Sequence, residues 1–132
     1  MKIERLRAFM SRDKDRPRVV VSIDTDDGLV GWGECYNHGP DKALAPILDY
    51  LFDFIRGHDP RRIEYLVLLL MQQSRFPPGA LGLAAISAID QCLWDISAKA
   101  LNVRSLFTRN SSGNSSRLPT TRLRPGRRIW RM

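Results

Sequence analysis

The sequence predicts an α+β domain, a three-stranded antiparallel meander followed by a helical subdomain, over residues 1–103 of a 132-residue chain. Three observations lead there. Apolar residues alternate with period two up to Cys35, around an Asp-Asp-Gly turn; they recur at helical spacing from Leu44 onward; and both charge balance and periodicity break at Val103. Period two marks a half-buried strand, whereas spacings of three and four mark one face of a helix.

Ile3 to Phe9 has the length and mixed polarity of a first strand, and the charged stretch Ser11 to Arg16 reads as a loop. Pro17 then opens a second strand. In RVVVSIDT, Val19, Val21 and Ile23 fall on one face and Val20, Ser22 and Asp24 on the other, as a pleated strand requires. Asp26-Asp27-Gly28 supplies a position tolerant of positive φ and closes a hairpin onto LVGWGEC.

Beyond Gly39-Pro40, the residues Leu44, Ile47, Leu48, Leu51 and Ile55 recur at helical spacing behind Asp41, which stands near the N-cap. Pro46 comes early enough in that helix to be tolerated, and Gly57 closes it. Asp59-Pro60 predicts a second start, a capping acid followed by proline at the first helical position, with Ile63, Leu66, Val67 and Leu70 as the buried face. RFPPG, from Arg75 to Gly79, is a proline-stiffened connection. The third helix, from about Leu81 to Leu101, is apolar around most of its circumference, so it is expected to be covered on more than one side and to want a further neighbour.

The net charge of +7 describes neither part of the chain. Up to Val103 there are 13 basic and 14 acidic residues; from Arg104 to Met132 there are 8 arginines and no acid. The high isoelectric point therefore says nothing about the folded part. Cys35 and Cys92, without CxxC or Cys/His spacing, read as buried reduced thiols. MKIERLRAF lacks the apolar core of a signal peptide, and no apolar run in the sequence approaches the roughly 20 residues that span a bilayer. A cytoplasmic setting is expected, with no membrane partner.

TDDGLVGWGE, from Thr25 to Glu34, together with SAIDQCLWD, from Ser87 to Asp95, resembles the N-terminal capping domain of the mandelate racemase and muconate lactonizing enzyme group of the enolase superfamily. The resemblance runs through residues 1 to about 103 in the order strand, hairpin, GWGE, GHDPR turn and AIDxxLWD. RFPPGALGLAAISAID is similar to the sugar-acid dehydratases of that group. The resemblance implies an enolase N-terminal-domain-like fold that caps the mouth of a (β/α) barrel. In such enzymes a barrel Lys or His removes the proton α to a carboxylate, and Mg²⁺ stabilises the ene-diolate. None of the barrel strands is present in this sequence. The expectation is a truncated capping domain with no catalytic residue, no metal ligand and no cofactor of its own, Mg²⁺ belonging to full-length relatives, and no catalysis by the chain alone.

By the same resemblance the cap selects substrate through loops that close over the site, here Ser11 to Arg16 and Tyr36-Asn37-His38. Arg16 reads either as a partner for a sugar-acid carboxylate or as a solvated loop charge. Tyr36, Asn37 and His38 read either as substrate contacts or as a solvent-facing loop. His58, in its turn between helices, reads as structural. Trp32 is expected to pack rather than react, and Glu34 lacks a companion carboxylate. Asp90 and Asp95 stand five apart, which does not stack them on a helix; they are expected to form hydrogen bonds at the seam between cap and barrel. Asp24, Asp26 and Asp27 superficially suggest a cation loop, but its twelfth position is Cys35, so a hairpin turn explains them better.

The Arg/Ser-rich segment 104–132 lacks sustained periodicity and carries too little apolar surface to offset its ordering entropy, so it is expected to be disordered. Two readings stand. A small basic binding module would use the arginines and Trp130 along a phosphate backbone. A shifted frame or early stop would instead have replaced the barrel, and the position of the break at the cap-to-barrel junction favours this second reading over a nucleic-acid partner. The expected partners are a barrel domain, or a second copy through the third helix.

Overall fold

Val19, Val21 and Ile23 are fully buried, and they fix which face of the sheet meets the helices. The computed structural model describes residues 1–13, 16–35, 41–73 and 77–103, with the backbone alone described at 11–13, 16, 17 and 41. Strands β1 (Ile3–Asp13), β2 (Arg16–Thr25) and β3 (Val30–Cys35) form one sheet in the order β1-β2-β3. Both pairings are antiparallel, with Asp13 opposite Arg16 and Val19 opposite Cys35. This is the predicted meander. Its second hairpin turns at Gly28, whose φ of 83° suits a residue without a Cβ; the Gly28 N–H donates to the Thr25 carbonyl at 3.0 Å. The Thr25 hydroxyl closes the turn from the side, accepting from the Leu29 N–H at 3.1 Å and donating to the Leu29 carbonyl at 3.0 Å.

A single 3-10 turn at Asp41–Ala43 leads into α1 (Leu44–Ile55). Pro46 falls in its first turn, where no intrahelical N–H bond is lost. Gly57, at φ 78°, ends the helix and donates to the Ile3 carbonyl at 2.8 Å, while the Ile3 N–H donates to the His58 carbonyl at 2.9 Å. The chain leaving α1 thereby pairs with the start of β1. Helix α2 (Ile63–Gln73) buries Ile63, Leu66 and Leu70. Helix α3 (Gly79–Ala100) buries Ala85, Ile86, Ala88, Ile89, Cys92, Leu93 and Ile96 against the sheet and the other two helices. Each fully buried Leu or Ile contributes about 1.5–3 kcal/mol relative to exposure. Asn102, at φ 54°, terminates α3: its N–H donates to Lys99 and that of Val103 to Ala98, both at 3.0 Å, a left-handed cap that satisfies the last carbonyls.

Three expectations are corrected. The stretch Ser11 to Arg16 is mostly strand, since β1 runs on to Asp13 and β2 starts at Arg16; the backbone pairing of Asp13 with Arg16 extends the ladder that far. Pro60 is not the first residue of α2. Asp59 opens a turn instead, with the Arg62 N–H on its carbonyl at 3.2 Å, and the helix begins at Ile63. Helix α3 is, by length and composition, apolar enough to cross a membrane, where the sequence reading found no apolar run near that length. Its apolar residues close on the sheet and on α1 and α2, so most of its covering comes from within the domain; Leu83, Trp94 and Leu101 remain exposed.

Candidate functional site

The paired residues Asp13 and Arg16, where β1 ends and β2 begins, and the exit of β3 lie at one end of the sheet. Cys35, the last residue of β3, is opposite Val19, and Arg16 is three residues further along the same strand, about 10 Å at the usual rise of a strand. Topology thus brings the backbone of Arg16 and the chain entering Tyr36, Asn37 and His38 to the same end of the molecule. The Arg16 side chain and residues 36–38 lie outside the described residues, as does the 104–132 segment.

Helix α3 runs antiparallel to β3, because Gly31 lies against Cys92 and Gly33 against Ala88. Its N-terminus therefore sits at that same end. There Pro46, Ile47, Tyr50 and Leu51 of α1 and Pro78 and Gly82 at the start of α3 line an apolar cleft of about 320 Å³. A second groove, of about 600 Å³, lies at the opposite end of α3, between Arg61, Arg62, Tyr65, Trp94 and Leu101 among others. Trp94 is 48% exposed there, and Arg62 lies over the Tyr65 ring at 4.2 Å.

The GWGE motif is explained by contact with α3. A Cβ at Gly31 would lie 2.1 Å from the Cys92 carbonyl oxygen, so only glycine lets the helix approach this closely. Asp95 forms hydrogen bonds as expected, but within the cap: its carboxylate accepts the Trp32 N–H at 3.0 Å and the Lys99 ammonium at 2.7 Å, pinning the helix to the strand. Asp90 is half-buried, and burial raises its pKa against the opposing effect of a hydrogen bond from Trp94. Trp32 turns to the outer face, 47% exposed, with its ring 5.8 Å from that of Phe9.

His58 accepts the Ile3 N–H through its carbonyl at 2.9 Å, and its ring stands 6.0 Å from that of Tyr65. Cys35 and Cys92 are free and buried, and the Cys92 thiol donates to the Val21 carbonyl at 3.5 Å. Among the described residues no three His, Cys, Asp or Glu side chains converge as a divalent cation would require. The described residues do not fit Mg²⁺. Sequence reasoning missed the row Gln91, Asp95 and Lys99, although polar residues four apart on an otherwise apolar helix were a signal that could have found it.

A meander whose glycine-bearing last strand lies against the return helix, with its loop ends gathered at one end, is an enolase-type N-terminal domain. The chain belongs to the mandelate racemase / muconate lactonizing enzyme N-terminal domain family, whose sequence profile matches residues 5–106. It is 38% identical over 104 residues to a D-galactonate dehydratase from Ralstonia nicotianae, covering 78% of this chain and 26% of that protein. To a D-galactonate dehydratase from Klebsiella pneumoniae it is 39% identical over 82 residues, covering 62% of this chain and 22% of the other. An enolase from Agrobacterium radiobacter, provisionally assigned as a galactarate dehydratase and crystallised with sodium and L-malate, superposes with a TM-score of 0.75 at 77% identity, covering 77% of this chain and 26% of that one. The chain thus spans about a quarter of the length of the relatives it matches.

Proposed function

We propose that this chain acts as the substrate-selecting cap of an acid-sugar dehydratase, a function that requires a barrel to supply the base and Mg²⁺. The observation that carries the reading is the gathering of the Arg16 strand end and the β3 exit at one end of the sheet, where loops closing over a sugar acid would have to converge. The sequence likeness to D-galactonate dehydratases supports the substrate class. On this reading Arg16 pairs with the substrate carboxylate, and Tyr36, Asn37 and His38 meet its hydroxyls. The free, buried thiols suit a cytoplasmic setting.

The test is a chimera in which residues 1–103 replace the matching part of the Agrobacterium enolase. With Mg²⁺ the chimera is expected to dehydrate a sugar acid such as galactarate, and Arg16→Ala in it to raise KM more than it lowers kcat, whereas the full chain alone turns over none. Mg²⁺-dependent turnover by the full chain alone, or an Arg16→Ala chimera with unchanged KM, would overturn the reading.

A further inference from the structure

Among the described residues, strand β3 is the last in the sheet, and one of its sides faces no other strand. Such an edge presents alternating N–H and C=O groups that can template pairing with another chain. On this side the groups are met from α3. The Glu34 N–H donates to Gln91 Oε1 at 3.0 Å, and Gln91 Nε2 donates back to the Glu34 carbonyl at 3.4 Å. The Trp32 N–H donates to Asp95 Oδ2 at 3.0 Å, and Lys99 Nζ donates to the Val30 carbonyl at 2.6 Å while holding Asp95 Oδ2 at 2.7 Å. Residues 91, 95 and 99 stand four apart, so they form one row along the helix. Close approach at Gly31 and Gly33 brings that row within reach of the strand.

The two edges of the sheet are handled differently. The start of β1 pairs with Gly57 and His58, and its exposed Arg5 and Arg7 place charge farther along. Charged side chains discourage addition of another strand. Strand β3 has Val30 and Trp32 at its alternate positions and only Glu34 as a charge, so side-chain charge gives it less protection. We infer that the row Gln91, Asp95 and Lys99 acts as a surrogate strand that guards the β3 edge against addition of β3 from a second copy. The matching partner is a second copy because two identical edges can pair antiparallel about a twofold axis.

The test uses the full chain with Gln91→Ala and Lys99→Ala together, since both side chains lie outside the buried core. Light scattering after size exclusion, across a concentration series, is expected to show self-association about tenfold tighter than in the parent, as freed backbone groups pair between copies. Adding Glu34→Pro removes the outward N–H without touching the β2 pairing, and it is expected to return association to the parent level. Unchanged association in the double variant overturns the inference, as does association that survives Glu34→Pro. Should the double variant fail to fold, Gln91→Ala alone is read by amide exchange: faster exchange at Glu34 than in the parent is expected, and an unchanged rate overturns the guard.

Discussion

The carbonyl oxygen of Ala88 lies where a side chain on Gly33 would begin: an added Cβ would sit 2.2 Å from it. The obstacle is helix backbone, which cannot turn aside as a flexible side chain could. Gly33→Ala is therefore expected to push α3 off β3, costing about 1–3 kcal/mol or more. Gly31→Ala meets both the Cys92 carbonyl and Ile96 Cγ1 and should cost at least as much. Urea unfolding of the two variants checks this; midpoints equal to the parent's would contradict the packing described.

Ser22 is fully buried, and its hydroxyl has no hydrogen-bond partner among the described residues. Removing an unpaired buried hydroxyl relieves its desolvation cost. Ser22→Ala is expected to be neutral or to stabilise by about 0.5–1 kcal/mol, in contrast to most buried substitutions. A clear fall in the thermal midpoint would show that the hydroxyl is satisfied after all.

Arg61 grips Asp59 twice, through its backbone N–H at 3.0 Å and its guanidinium at 2.6 Å, and this holds the carboxyl at about 2, below its ordinary 3.8. Because the folded value lies below the unfolded one, the contribution to stability is complete above the ordinary carboxylate range and is lost as pH falls through about 2. The pair faces solvent, so Arg61→Ala should scarcely change stability at neutral pH. It should return the Asp59 titration, followed by carbon NMR, toward the ordinary value. A titration that stays near 2 in the variant would remove Arg61 as the cause.

Burial pushes the Cys35 thiol up to about 11, with Glu34 adding to the shift, and the Cys92 thiol up to about 12, with Asp95 adding there. At pH 8 on the order of one thiol in a thousand or fewer is then ionised. A disulfide reagent such as dithionitrobenzoate is expected to react slowly with the native chain and rapidly with both thiols in denaturant. Fast stoichiometric reaction of the native protein would contradict their burial.

Much of the fold was legible because the pattern that forms each element is also the pattern it buries. Val19, Val21 and Ile23 marked their strand, and Leu44, Leu48, Leu51 and Ile55 their helix, by spacing alone. Ends were less legible. Asp13 and Arg16 read as loop because composition registers charge, whereas the strand ends there are set by backbone pairing, Asp13 opposite Arg16, which leaves no mark in composition. Asp95 was legible as a hydrogen-bonding residue but not in its partner, since the Trp32 N–H lies 63 residues away and backbone groups leave no mark in the sequence. Of the candidate site, the shared end of Arg16 and the β3 exit follows from strand register, which the meander implied. The side chains that would meet substrate belong to segments outside the described residues.

The bonds from β3 to α3 span 57, 63 and 69 residues. The meander can pair locally once Cys35 has left the ribosome, but its last strand must wait for a helix encoded roughly sixty residues later. At the usual 5–20 residues per second of synthesis, that delay is about 3–12 s. During translation the nascent sheet therefore carries an open, Trp-bearing border for seconds, and a co-translational holdase would find its opportunity there.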